Sequence, residues 1–235
     1  MGSGKSRLKG YLAPKLLGIY LNADEIEAEV RRTGEFDFHK PSLDVASDEV
    51  LSSFHSSSFL SQSGFGAEAK KLRFRNGKKD FREVSMNSYF ASVTVDFIRR
   101  HFLAKKITFT FETVMSHPSK VEWLEAAQRE SFRTYLYFVA TDDPSINVSR
   151  VKARVRLDGH AVPEERIIAR YHRSIGLLSR VIRCTNRAYI FDNSIEGKDH
   201  QFLVEITEGR KIELKTSDIP AWFRKAVLDK SKSVS

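Results

Sequence analysis

"MGSGKS", residues 1–6, is the stretch on which the reading of the whole chain turns. Gly2, Gly4, Lys5 and Ser6 match the second half of a phosphate-binding P-loop, a motif whose full form has a further glycine upstream and a β-strand before it. Position 1 already lies inside the loop. A strand lost from the middle of such a sheet leaves its two neighbours without a partner on one side, at about 1 to 3 kcal/mol for each backbone group buried unpaired. The expectation is therefore that the native gene product begins roughly ten residues earlier, with an apolar strand and a glycine completing the loop. A chain that truly began at Met1 would read as a degraded relative with impaired nucleotide binding.

The residues after the glycines favour a phosphate-binding loop over a flexible Gly/Ser linker. Residues 6–16 have the pattern of a helix, so the first backbone N–H groups after the loop would face a bound phosphate with the positive end of the helix dipole behind them. Gly2, Ser3, Gly4, Lys5, Ser6 and Arg7 form the expected nucleotide cradle. In it Lys5 neutralises the β- and γ-phosphates of ATP, and the Ser6 hydroxyl ligates Mg²⁺.

Composition bounds the rest. With 235 residues and 41% hydrophobic content, the chain fits one sizeable core, read as a single domain over 1–235. Lys and Arg number 39 against 30 for Asp and Glu, a net +9 that suits a polyanionic partner or a generally basic surface. Cys184 is the single cysteine, which rules out an internal disulfide framework and a multi-cysteine metal site and is compatible with a reducing cytoplasm. No apolar run reaches the roughly 18 residues of a membrane span, and the N-terminus lacks a signal pattern, so a cytoplasmic protein with no membrane partner is expected.

Short β-rich runs alternate with helical stretches. Strands are expected at 17–21, 107–111, in "FRTYLYFVAT" and in "AYIFDNS", with helices over "PSKVEWLEAAQRES", 146–157 and 164–183. That alternation predicts an α/β fold with a mostly parallel sheet flanked by helices, its first strand truncated. Two regions break the rhythm. Residues 33–85, rich in Ser and charge, read as an insertion, with Asn76-Gly77 as a hairpin turn. Residues 195–235 read as a C-terminal β-hairpin around Glu208-Gly209 followed by a helix carrying Trp222 and Phe223.

Four groups of residues are suited to chemistry. "NAD", 22–24, follows an apolar strand, and a carboxylate just past a strand end in an α/β sheet is aimed at the ligand site. Asn22 suits the helix cap, with Glu25 as its capping-box partner. Asp24 is left for another role, accepting the proton of a hydroxyl that attacks the γ-phosphorus. Glu112 and Thr113 end the next strand, where a substrate hydroxyl, a metal-bound water or an ordinary salt bridge would engage the carboxylate. Arg150, Arg154, Arg156, Arg166, Arg170 and Arg173 surround "DGHAVPEE", and two basic helices joined by a Gly/Pro turn would make a lid over about 146–183 that brings guanidinium groups to phosphate. A solvated basic helical hairpin uses the same residues, and His160 in its turn suits a structural hydrogen bond. Asp192 and Asn193, at the end of the last core strand, suit the base or ribose end of a nucleotide or an ordinary turn.

Taken in order, "GSGKS", "YLNADEI", "FTFETVMS" and "RVRLDGHAVPEERIIARYHRS…AYIFDNS" resemble the zeta-toxin family of P-loop kinases, in its short stand-alone branch. The resemblance spans 1–194 apart from the insertion. It implies an ATP- and Mg²⁺-dependent kinase acting on a small-molecule hydroxyl; characterised members phosphorylate an amino-sugar hydroxyl of UDP-N-acetylglucosamine. By that resemblance Lys5 is the P-loop lysine, Ser6 the magnesium ligand, Asp24 the catalytic base, Glu112 part of the substrate-side tract, and Arg154 and Arg170 the arginines on the γ-phosphate. An antitoxin protein is the partner it implies. The alternative expectation is a nucleotide-dependent binding module without acceptor chemistry, in which the basic tract "KKLRFRNGKK" contacts nucleic acid; under the kinase reading nucleic acid is not a partner.

Overall fold

The computed structural model describes residues 2–10, 12–41, 43–156 and 161–229. The chain has a mixed α/β fold and divides into two compact units, Ala13–Thr113 and the combination of Met1–Leu12 with Val114–Ser235. Each has a core of its own.

In the unit Ala13–Thr113 the order is α1 (Pro14–Leu17), β1 (Ile19–Leu21), α2 (Ala23–Thr33), β2 (Glu35–Asp37), α3 (Ser47–His55), α4 (Ser58–Gln62), α5 (Gly66–Ala69), β3 (Arg73–Arg75), β4 (Lys78–Asp80), α6 (Ser88–Ala104) and β5 (Phe109–Phe111). β1 and β5 pair in parallel, Ile19 opposite Phe109 and Leu21 opposite Phe111. The expected insertion, 33–85, folds into a three-stranded antiparallel sheet of order β2-β4-β3 with three short helices. Asn76 and Gly77 turn the β3–β4 hairpin with φ of 50° and 71°, the pair of positive values such a two-residue turn demands. This segment supplies Phe36, Phe38, Phe54, Leu60 and Phe81 to the same core that receives Val30 from α2 and Phe90, Ile98 and Phe102 from α6. Burying phenylalanines from both parts in one cluster is what orders the Ser-rich stretch, at a few kcal/mol for each ring withdrawn from water.

In the other unit, a 3₁₀ helix at Lys5–Gly10 is joined by α7 (Ser119–Arg129), β6 (Tyr135–Ala140), α8 (Pro144–Val155), α9 (Glu164–Arg183), β7 (Arg187–Asp192), β8 (Gln201–Thr207), β9 (Lys211–Leu214), α10 (Ala221–Phe223) and a π-helical turn at Arg224–Leu228. The sheet order is β6-β7-β8-β9. β6 and β7 are parallel, whereas β8 and β9 add antiparallel. Alternate residues Leu136, Phe138, Ala140, Ala188 and Ile190 are buried with Leu178, Val181 and Ile182 of α9 and with Trp222 and Phe223, the period-2 and period-3.6 patterns meeting in one cluster. The expected C-terminal hairpin forms, with Glu208 and Gly209 both at positive φ in its turn.

Two expectations are corrected. The single mostly parallel sheet is replaced, among the described residues, by three sheets in which β1–β5 and β6–β7 are the parallel pairs. The two-residue turn between β3 and β4 and the short turn between β8 and β9 allow antiparallel pairing alone, and β2 joins β4 antiparallel after the three short helices. The helix expected over 6–16 is a 3₁₀ helix ending at Gly10, with α1 beginning only at Pro14; Gly10 and Pro14 disfavour a continuous α-helix there. Among the described residues, β5 is paired only by β1 and β6 only by β7.

Candidate active site

The glycine loop is anchored inside one unit. Gly2 and Gly4 are left-handed, with φ of 76° and 84°, and flank the buried Ser3. A Cβ on Gly2 would lie 2.6 Å from the Asn147 carbonyl oxygen, and one on Gly4 2.3 Å from Asn193 Nδ2. Only glycine fits either position. Left-handed residues alternating in a short loop turn backbone N–H groups toward a common point, the arrangement that binds anions.

The carboxyl ends of the parallel strands β6 and β7 hold this loop. Asn193, just past β7, donates from Nδ2 to the Ser3 carbonyl at 2.8 Å, and Arg150 of α8 donates from Nη1 to the Asn193 carbonyl at 2.8 Å. Asp192 is buried and accepts from Trp222 Nε1 at 2.8 Å and from the Ser194 N–H at 2.8 Å. Ser194 Oγ in turn accepts from the Asp142 N–H after β6. The Thr141 hydroxyl donates to Asn147 Oδ1 at 3.1 Å, and the Tyr171 hydroxyl of α9 donates to the Thr141 carbonyl at 2.9 Å. Asp143 caps α8 by accepting from Ser145, which holds its carboxyl below the usual carboxylate range. His200 lies against the loop, its Nε2 3.1 Å from the place a Gly4 Cβ would take. Burial first, and then Arg7, holds its imidazole below its usual range.

Lys5 begins the 3₁₀ helix and is half-buried; Arg7 is exposed and 3.8 Å from Asp199. The Ser6 side chain and the lid turn with Gly159 and His160 lie outside the described residues. Among the described residues no group of three His, Cys, Asp or Glu side chains is arranged to hold a metal. Mg²⁺ that arrives with a nucleotide draws most of its ligands from phosphate and water, so the loop needs to supply no such group.

The two helices expected over 146–157 and 164–183 form, as α8 and α9, packed through Val148, Val151 and Ile167. Of the arginines the sequence singles out, Arg150 is bonded to the loop's anchor. Arg154, Arg156 and Arg166 are exposed, Arg170 is half-buried, and Arg173 donates to the Ser116 carbonyl at 3.2 Å.

The residues expected on the substrate side belong to the other unit, at the carboxyl ends of β1 and β5. Asn22 caps α2, its Oδ1 accepting from the Asp24 N–H at 2.9 Å. Asp24 itself is exposed in the first turn of α2. Glu112 follows β5, its N–H donating to the Leu21 carbonyl at 2.9 Å and extending the parallel ladder by one bond. Its Oε2 accepts from the Tyr20 hydroxyl at 2.7 Å and from Asn22 Nδ2 at a longer 3.5 Å. Thr113 is half-buried beside it.

Sequence reasoning missed Tyr20, Thr141, Asn147, Tyr171, His200 and Trp222. Tyr20 alternates with apolar neighbours in a strand and Trp222 sits on an amphipathic segment, so both carry the pattern of core residues. Their polar ends become visible only when their partners, 92 and 30 residues away, are in place.

Compared with known proteins, the chain matches no family model and no solved structure. It is 32% identical over 72 residues to a protein of Haemophilus influenzae (strain ATCC 51907 / DSM 11121 / KW20 / Rd) described as an uncharacterized protein. The match takes in 30% of this chain and spans about half, 51%, of the length of that relative.

Proposed function

We propose that this protein is an ATP-dependent phosphotransferase of the zeta-toxin type, acting on the hydroxyl of a small molecule, with UDP-N-acetylglucosamine as the acceptor the family resemblance implies. The observation that carries the reading is the glycine loop. Two left-handed glycines flank Ser3, and Asn193 and Arg150 clamp it at the carboxyl ends of a parallel strand pair, the edge where α/β sheets bind ligands.

Each residue's role derives from its chemistry. The loop N–H groups and Lys5 take the β- and γ-phosphates, and Arg150, Arg154 and Arg170 offer guanidinium charge as negative charge spreads over the transferring group. Ser6 would hold Mg²⁺ brought with the nucleotide, which supplies charge neutralisation on the phosphate oxygens. Asp24 accepts the proton of the attacking hydroxyl, while Glu112 and Thr113 orient the acceptor. Incubation with ATP, Mg²⁺ and a panel of UDP-sugars, followed by mass spectrometry, tests this. A phosphorylated sugar nucleotide is expected; tight ATP binding with transfer to none of them removes the acceptor assignment.

One observation favours a second reading, a nucleotide-dependent module that contacts nucleic acid. Lys70, Lys71, Arg73, Arg75 and Lys78 are all exposed on and before the β3–β4 hairpin. Binding through them would weaken steeply as salt rises and would not depend on Asp24.

A further inference from the structure

The acceptor-side residues form a connected set with one member that has no role in the proposed reaction. Tyr20 stands in the middle of β1, one residue before the strand end and two before Asn22. Its hydroxyl reaches across the β1–β5 pair to Glu112 Oε2 at 2.7 Å, a short charge-assisted hydrogen bond. Asn22 Nδ2 approaches the same oxygen at 3.5 Å, while Asn22 Oδ1 holds the Asp24 N–H at 2.9 Å. The side chain of Asn22 thus bridges the two carboxylate-bearing residues, and Tyr20 fixes the far end of the bridge.

The phenol is suited to that duty near neutral pH. Burial, followed by the bond to Glu112, pushes its ionisation well above the ordinary tyrosine range, so the O–H remains a donor. A rigid ring with two torsions, set in a strand, also holds its hydroxyl in place at less entropic cost than a longer side chain would.

We propose that Tyr20 is the positioning residue of the acceptor subsite: its hydroxyl fixes the Glu112 carboxylate, and through Asn22 its spacing from Asp24, so that Glu112 meets the acceptor in one orientation. The role rests on the phosphotransferase reading above. Tyr20 acts through Glu112 and itself exchanges no proton.

The test is a double-mutant cycle on the full chain, with UDP-N-acetylglucosamine as the acceptor probe. Y20F, E112Q and the double variant are compared with the wild type for phosphate transfer over a range of pH, with ATP affinity and melting temperature measured alongside. Y20F is expected to lower kcat/KM for the acceptor about 10- to 100-fold, to leave ATP affinity unchanged and to move the acidic limb of the pH profile upward. The limb moves upward because a carboxylate that loses a donor ionises less readily. On the E112Q background the same change is expected to cost little more, since the bond it removes serves Glu112. An undiminished loss on that background, or transfer by Y20F at the wild-type rate with an unmoved pH profile, overturns the role while leaving the phosphotransferase reading intact. Wild-type protein that binds ATP and transfers nothing to this probe overturns the acceptor reading and the role with it.

Discussion

Asn193 Nδ2 donates a 2.8 Å hydrogen bond to the carbonyl of Ser3, a residue 190 positions earlier in the chain, and both residues are buried. That bond joins the glycine loop to the end of β7. N193A leaves the Ser3 carbonyl without this donor, at a cost of about 1 to 3 kcal/mol. The expected outcome is a lower melting temperature and ATP binding weakened about tenfold or more by calorimetry. Unchanged ATP affinity would separate the loop from nucleotide binding.

The loop glycines give a sharper comparison. Gly4→Ala puts a methyl 2.3 Å from Asn193 Nδ2 at a φ of 84°, whereas nothing lies within 4 Å of a Cβ on Gly10. G4A is therefore expected to abolish ATP binding and G10A to retain it, both read by thermal shift with and without nucleotide, since a ligand confined to the folded state raises the melting point.

Lys79 of β4 is fully buried, its Nζ 3.1 Å from the centroid of the Phe54 ring and, among the described residues, without a hydrogen-bond partner. Burial lowers its ionisation from 10.5 to about 6. Between these two values the unfolded chain carries one proton more than the folded one, so stability rises with pH, by up to about 1.4 kcal/mol per unit. Below about pH 6 both states are charged and the burial penalty is present in full. K79M is expected to stabilise the protein near neutral pH and to flatten that dependence in urea titrations. An identical slope in both proteins would show that the amine is charged in the fold.

Trp222 Nε1 bonds the buried Asp192 Oδ2 at 2.8 Å, so the C-terminal segment braces the strand end that carries Asn193. W222F retains an aromatic ring and removes the donor. A loss of about 1 to 3 kcal/mol is expected in denaturant unfolding, accompanied by weaker ATP binding; a loss of stability alone would confine Trp222 to the core.

Much of the fold is legible where a local signal suffices. The Asn22 cap, the Asn76-Gly77 turn, the Glu208-Gly209 hairpin and the two long helices α8 and α9 depend on residues close in sequence, and each forms as its pattern dictates. α6 is not legible in that way. It buries ten residues, and the polar stripe that marks its period, Ser88, Ser92, Asp96 and Arg100, is only one residue wide. The order within 33–85 is hidden because its serine-rich composition speaks for a loop, while Phe38, Phe54 and Leu60 are buried in a cluster that the segment shares with α2 and α6. At the site, the sequence points to Asp24, Glu112 and Asn193 by their places after strands. It does not distinguish Arg150 from Arg154, because only the fold brings one of them to the Asn193 carbonyl.

Asp24 is the residue on which the account depends most, because a phosphotransferase requires its carboxylate and a binding module does not, beyond the favourable charge it gives the start of α2. The deciding measurement is transfer of the γ-phosphate of ATP to the acceptor panel by the wild type and by D24N, with ATP affinity determined on the same samples. The account predicts transfer by the wild type, a fall of about 10²- to 10⁴-fold in D24N, and equal ATP affinity in both, since Asp24 serves the acceptor hydroxyl and the glycine loop serves the nucleotide. Transfer by D24N at the wild-type rate, or ATP binding by the wild type with transfer to no hydroxyl, would contradict it.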